Sequence, residues 1–198
     1  MLFRSARTLA ARYGSVSAIV EEFGRIMGQV QATWPFGQDC ELSREHGTKH
    51  PIVQGPMAHV SDNADFLRLI AEGGALPFLA LGNMPGPIAK KAMDEAREKT
   101  ENLYGVGLIG LDVNALRYEA HLQLMSKNPP KFAILAAGGP DLARRIESLG
   151  VKCYLHCPAP AMLSDGLRAG LRRFVFEGNE SGGHRSEEHT SELQSPNT

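Results

Sequence analysis

Cysteine is scarce: Cys40, Cys153 and Cys157 are the only three in 198 residues. So few exclude a disulfide framework and fit a reducing compartment, the cytoplasm. The Cys153/Cys157 pair is spaced C-x3-C with no second pair to complete a zinc site, so both read as buried, unreactive thiols and no metal is expected. Net charge is lacking too. The last fourteen residues, RSEEHTSELQSPNT (185–198), have no apolar period and a single Leu. They hold one of the 21 basic and three of the 22 acidic side chains, leaving 20 against 19 in the rest. That balance gives no electrostatic reason to expect nucleic acid or an anionic membrane as partner. No apolar run approaches the ~20 residues that cross a bilayer. The opening MLFRSARTLAARYGS has no acidic residue and none of the apolar core of a secretory signal, which leaves an organelle transit peptide as a minor reading. At 42% apolar the chain is nonetheless globular in composition.

What the sequence does have is alternation. From Ile52 onward, short β-like runs interleave with helical patterns. The runs are IVQG (52–55), LPFLAL (76–81), YGVGLIG (104–110), FAILAAGG (132–139), KCYLH (152–156) and RRFVFEG (172–178). Between them the spacing predicts helices with Phe66, Leu69 and Ile70 inward, then Ile88, Ala92 and Ala96, then Tyr118, Leu122 and Met125, then Leu142, Ile146 and Leu149. A fifth runs over 160–169. Asp62 and Asn63 are cap candidates, Pro85, Pro140 and Pro160 open helices, and Gly150 and Gly170 close them. Nearly continuous apolar strands between amphipathic helices mean a parallel sheet covered by helices. The order suits an open doubly wound sheet or most of a (β/α)8 barrel, and periodicity does not separate them. Polar and glycine residues at the strand ends, among them Gln54-Gly55, Gly82-Asn83, Gly138-Gly139, His156 and Glu177-Gly178, favour the barrel, whose active sites lie on that rim. Ahead of this lie an amphipathic helix (Val16, Ile19, Val20, Phe23, Ile26, Met27, Val30) and a linker holding Trp34, which reads as a packing residue.

Three segments carry a resemblance. PIVQGPMAHVSD (51–62), GGALPFLALGNMP (73–85) and FVFEGNESGGH (174–184) resemble landmarks of the nitronate monooxygenase (2-nitropropane dioxygenase) family, FMN-dependent TIM barrels similar to the flavin-dependent enoyl-acyl-carrier-protein reductases. HGTKHPIVQGPM (46–57) and RRFVFEGNESGGH (172–184) resemble most the variant fused into type I polyketide or fatty-acid synthases. The tail RSEEHTSELQS resembles the translation of a sequencing-adapter oligonucleotide and is set aside as non-native. The resulting division is 1–45 helix and linker, 46–184 partial FMN-dependent barrel truncated after about six strands, and 185–198 tail.

The resemblance implies site residues. Gly55, Pro56, Met57 and Ala58 would lie against the flavin ring, with main-chain groups near its reactive edge. Asn83 would hydrogen-bond the flavin; without the resemblance it reads equally as a helix cap. Ser181, Gly182 and Gly183 would cradle the cofactor through their amides. His184 matches the family's catalytic base or electrostatic partner, a role suited to a pKa near neutrality. His59 departs from the family, where Gly is common, and Glu177 stands where the nitronate enzymes usually carry Gln. His156 would point into the barrel or toward its mouth and support the site. The implied activity is oxidation of a nitronate with O2 to a carbonyl compound and nitrite. An enoyl-thioester reductase and a non-catalytic megasynthase domain are the rivals. Partners would be a small molecule (nitronate or acyl thioester), O2 and other synthase domains. As a fragment lacking the phosphate-binding loops, the chain is expected to lose FMN on purification and to be inactive.

Overall fold

The computed structural model describes residues 11–32 and 39–177, the side chains of 29–32 excepted. Helix α1 (Val16–Ala32) forms as its period predicts, but its stripe of Val16, Val20, Phe23 and Met27 is exposed. Among the described residues no helix is long and apolar enough to cross a membrane.

Five strands follow: β1 (Phe78–Ala80), β2 (Gly105–Ile109), β3 (Phe132–Ala136), β4 (Lys152–Cys157) and β5 (Phe174–Phe176). They form one parallel sheet in the order β1-β2-β3-β4-β5. A doubly wound sheet reverses its strand order at a switch point. This sheet never does, so it winds one way, as a barrel wall does.

The expected strand over 52–55 is not a full one. It is a single bridge between Val53 and Leu76, in which Leu76 N–H donates to Ile52 O and Gln54 N–H to Leu76 O, both at 2.9 Å. Pro56 has no N–H, so the ladder cannot continue. The Gln54 side chain extends it by accepting from Phe78 N–H at 3.0 Å.

Strand faces alternate, which separates two packed layers. Leu79, Val106, Leu135, Cys153 and Leu155 point outward to the helices. Leu76, Phe78, Phe132 and Ile134 point into the lumen with Tyr154 and Val175 beside them.

Five helices cover the outside: α3 (Ala64–Glu72), α4 (Gly86–Lys99), α5 (Ala115–Lys127), α6 (Pro140–Glu147) and α7 (Pro160–Arg168). Asn63 caps α3, its Oδ1 accepting from Phe66 N–H at 2.9 Å. Two expected inner faces hold in part: Phe66, Ala92 and Ala96 pack inward, while Leu69 and Ile88 do not. In α3 the buried residues are Ala64 and Leu67, while Leu69 is 57% exposed; in α4 they are Ala89, Ala92, Met93 and Ala96, while Ile88 is 57% exposed. The α4 set follows the i, i+3, i+4, i+7 stripe, and its alanines let the helix lie close to the sheet. Ile88 lies off that stripe.

Helix α2 (Glu41–His46) packs at the N-terminal ends of the strands. His46 Nε2 lies 2.6 Å from the Tyr154 hydroxyl, and its ring meets Phe132 edge-on. Glu45 Oε1 accepts from Arg173 Nη2 at 2.7 Å and lies 3.6 Å from Lys152 Nζ. Together these contacts plug the lumen from below.

Candidate active site at the mouth of the barrel

The loop leaving the Val53 bridge carries Gly55, Pro56, Met57 and Ala58. Its shape is fixed from beneath by Ser61, which is fully buried. Ser61 Oγ accepts from Met57 N–H at 2.8 Å, Met57 O accepts from Ser61 N–H at 2.9 Å, and Ser61 O accepts from Ala80 N–H at 2.9 Å. These bonds tie the loop to β1. Above, Pro56 rests on β2 where Gly107 has no side chain: a Cβ there would sit 2.2 Å from Pro56 Cβ. His59 closes the turn at φ +64°. That left-handed conformation favours glycine, so a side-chain-bearing residue is held here at some strain.

Asn83 sits on the loop between β1 and α4. This loop is held by Met84, whose N–H donates to Leu81 O at 2.7 Å and whose carbonyl accepts from His121 Nε2 at 2.9 Å. His121 is buried on α5, and burial pushes its imidazole below the ordinary value, toward the neutral form. No side chain caps α4, whose N-cap is Pro85. The Asn83 side chain is exposed and is not used as a cap.

Pro56, Ala58, Ala80, Gly82, Asn83, Gly107, Leu108, Ile109 and Ala136 line an open cleft of about 210 Å³ at the C-terminal ends of the strands. Its walls are apolar, and among the described residues Asn83 is the one polar side chain lining it. A larger cavity of about 320 Å³ lies within the lumen, lined by Leu42, His46, Val53, Gly55, Ile134, Tyr154, Phe174 and Val175. Its reactive groups are subdued, since burial pushes the Tyr154 hydroxyl up to about 12. The mouth is the better candidate despite its smaller size. Loops after the strands gather there, as in barrel enzymes generally.

Of the residues expected at the site, Pro56, Ala58 and Asn83 come together in this cleft. Gly55 lines the lumen cavity instead. Met57 lines neither, and its N–H is spent on Ser61, so it cannot serve as a main-chain donor to a ligand. His156 does face inward, two residues above Tyr154 on β4, and its Nε2 lies 3.2 Å from Glu177 Oε2. Trp34, Ser181, Gly182, Gly183 and His184 lie outside the described residues. Cys153 and Cys157 are buried, and burial raises Cys153 to about 12. No cluster of three metal-ligating side chains occurs among the described residues.

Sequence reasoning missed Ser61, Gly107 and His121. Ser61 lies four residues after Met57, the spacing of a side chain that turns back on its own loop. Nothing local marks Gly107 or His121, because both act on a loop distant in sequence.

No family model and no curated protein sequence matches the chain. Solved structures do. FabK from Thermotoga maritima is similar at 26% identity with a TM-score of 0.65, over 74% of this chain and 46% of that one. Nitroalkane oxidase from Streptomyces ansochromogenes is similar at 20% identity and TM-score 0.64, over 76% and 54%. The enoyl reductase domain of MlnA, from the macrolactin biosynthesis cluster of Bacillus amyloliquefaciens, is similar at 14% identity and TM-score 0.57, over 66% and 33%. The chain thus spans about half the length of the first solved structures it matches. These likenesses agree with the one-way strand order, and the fold is that of a (β/α)8 TIM barrel truncated to its early strands.

Proposed function

We propose that this chain carries the ring-binding part of a flavin-dependent oxidoreductase of nitronate monooxygenase type, with FMN as cofactor. The observation that carries the reading is the mouth cleft: an apolar floor of Ala80, Ile109 and Ala136 flanked by Pro56, with one amide, Asn83, at its edge. A flat aromatic ring needs such a floor, and an amide suits its polar edge because it both donates and accepts. Pro56, Ala58 and Asn83 would hold the ring side, and Ser61 and His121 would keep their loops in place. Bound FMN would supply the electron-accepting ring. Ser181, Gly182 and Gly183 would add amides, and His184 would take the substrate's proton or steady its negative charge.

Under this reading the substrates are a nitronate and O2, and the products a carbonyl compound and nitrite, made in the cytoplasm. A second reading has a specific support: FabK and an enoyl reductase domain of a biosynthetic cluster stand beside nitroalkane oxidase among the similar structures. The substrate would then be an enoyl thioester, delivered by other domains of a synthase. Anaerobic mixing of the chain with saturating FMN separates the two. Bleaching of the flavin by ethyl nitronate supports the first. Bleaching by NADPH alone, reversed by an enoyl thioester, replaces it with the second. Bleaching by neither removes both.

A further inference from the structure

Helix α1 keeps its apolar face uncovered. Val16 is 76% exposed, Val20 and Phe23 are each 65% exposed, and Ile26 and Met27 are exposed beside them. From Val16 to Val20, Phe23 and Met27 the steps are four, three and four residues, which is the d-a-d-a seam of a heptad. Ile19 and Ile26 widen the seam at the g positions. The helix is poorly equipped to stand alone. Gly24 and Gly28 weaken it, and Val16, Ile19, Val20 and Ile26 are β-branched. Such a helix is held by what packs on its apolar side, and the described part of the barrel leaves that side open.

Charge selects the occupant. The seam is flanked by Ser17 and Gly24 at the e positions and by Ile19 and Ile26 at g, none of them charged. Glu21, Glu22 and Arg25 fall at b, c and f, away from the seam, and Arg25 Nε lies 2.6 Å from Glu22 Oε2. A helix that lies on a membrane carries a polar face rich in Lys and Arg. This one carries two carboxylates against one guanidinium. A partner of different sequence selected by charge would meet charged flanks. Two identical faces, by contrast, meet without repulsion when their flanks are uncharged, as these are. Gly24 also leaves open space beside the seam where a second backbone can come close. We propose that α1 pairs with α1 of a second copy of this chain, burying Val16, Val20, Phe23 and Met27 of each copy across a two-fold axis. A seam of ~25 Å falls at the low end of the areas that hold specific complexes, so the pair forms at micromolar concentration and separates on dilution. Pairing needs neither a flavin nor the mouth cleft.

Sedimentation velocity of the whole chain over a concentration series tests this. The wild type is expected to pass from monomer to dimer with a dissociation constant of about 1–100 μM. Phe23→Asp is expected to weaken pairing about tenfold or more, and Glu21→Gln, on the opposite side of the helix, to leave it unchanged. The terminal strand β5 is another place where copies could meet, because a sheet edge offers unpaired backbone groups. Substitutions in α1 do not alter that edge, so they separate the two modes. A wild type that stays monomeric at about 200 μM, a dimer that persists unchanged in Phe23→Asp, or a loss that Glu21→Gln shares would overturn the proposal. Phe23 is exposed, so the melting temperature of the barrel should hold in Phe23→Asp. If it falls, Val20→Asp is read in its place against the same outcomes. A monomeric wild type that cosediments with phosphatidylserine vesicles would assign the face to a membrane instead.

Discussion

At Gly107 the missing side chain is occupied by Pro56, whose Cβ would stand 2.2 Å from any Cβ placed there. Neither backbone is free to move, since the loop is bonded through Ser61 to β1 and Gly107 lies within a paired strand. Gly107→Val is therefore expected to destabilise the fold by about 1–3 kcal/mol, the usual cost of overpacking, as read from the shift in urea midpoint. His59 gives the opposite case. Its φ of +64° strains a side-chain-bearing residue by ~1–2 kcal/mol, partly offset in a glycine by greater freedom in the unfolded chain. His59→Gly should raise the melting temperature by a few degrees; a fall would show that the imidazole makes a stabilising contact. The motif around Pro56 was legible in the sequence because glycine and proline constrain the backbone locally. Gly107 was not, because its role is written in a residue fifty positions earlier.

The short helix α2 shows what an element adds. Its Glu45 carboxyl is held below the ordinary range, chiefly by the hydrogen bond from Arg173, and its His46 imidazole is lowered, chiefly by burial. Both groups bind fewer protons folded than unfolded, so stability rises with pH through each titration. The His46 contribution declines as pH falls below ~6.5, where the unfolded imidazole gains its proton, and buried His121 acts in the same direction. The Glu45 contribution is present above ~4.5 and is lost as pH falls through its lower folded value. Urea midpoints should thus fall in two stages on acidification, and Glu45→Gln should remove only part of the lower stage. At the start of α3, Asn63→Ala should cost about 1 kcal/mol through loss of the bond to Phe66 N–H. Helix openings and closings at Asn63, Pro140, Gly150 and Gly170 were legible because caps are local chemistry. The inner faces of α3 and α4 were less so. Leu69 and Ile88 satisfy an apolar period as well as Leu67 and Ala89 do, and only packing against the sheet chooses between them.

For the whole molecule, periodicity foretold a parallel sheet, and strand order then selected the barrel over the doubly wound alternative. The rim position of the site follows from that choice, since every strand delivers its C-terminal loop to one end. Pro56, Ala58 and Asn83, from two separate loops, share one cleft for this reason. The floor of that cleft tests the central claim most directly. Ala136 lines it from β3, and a larger side chain there would fill space that is open to solvent rather than packed. Fluorescence titration of FMN against the wild type and Ala136→Leu, both checked for the same melting behaviour, is the measurement. Saturable quenching by the wild type, with affinity about tenfold or more weaker in Ala136→Leu, is the predicted result. A wild type that never quenches FMN, or a folded Ala136→Leu that binds it equally well, would contradict a flavin ring at this mouth.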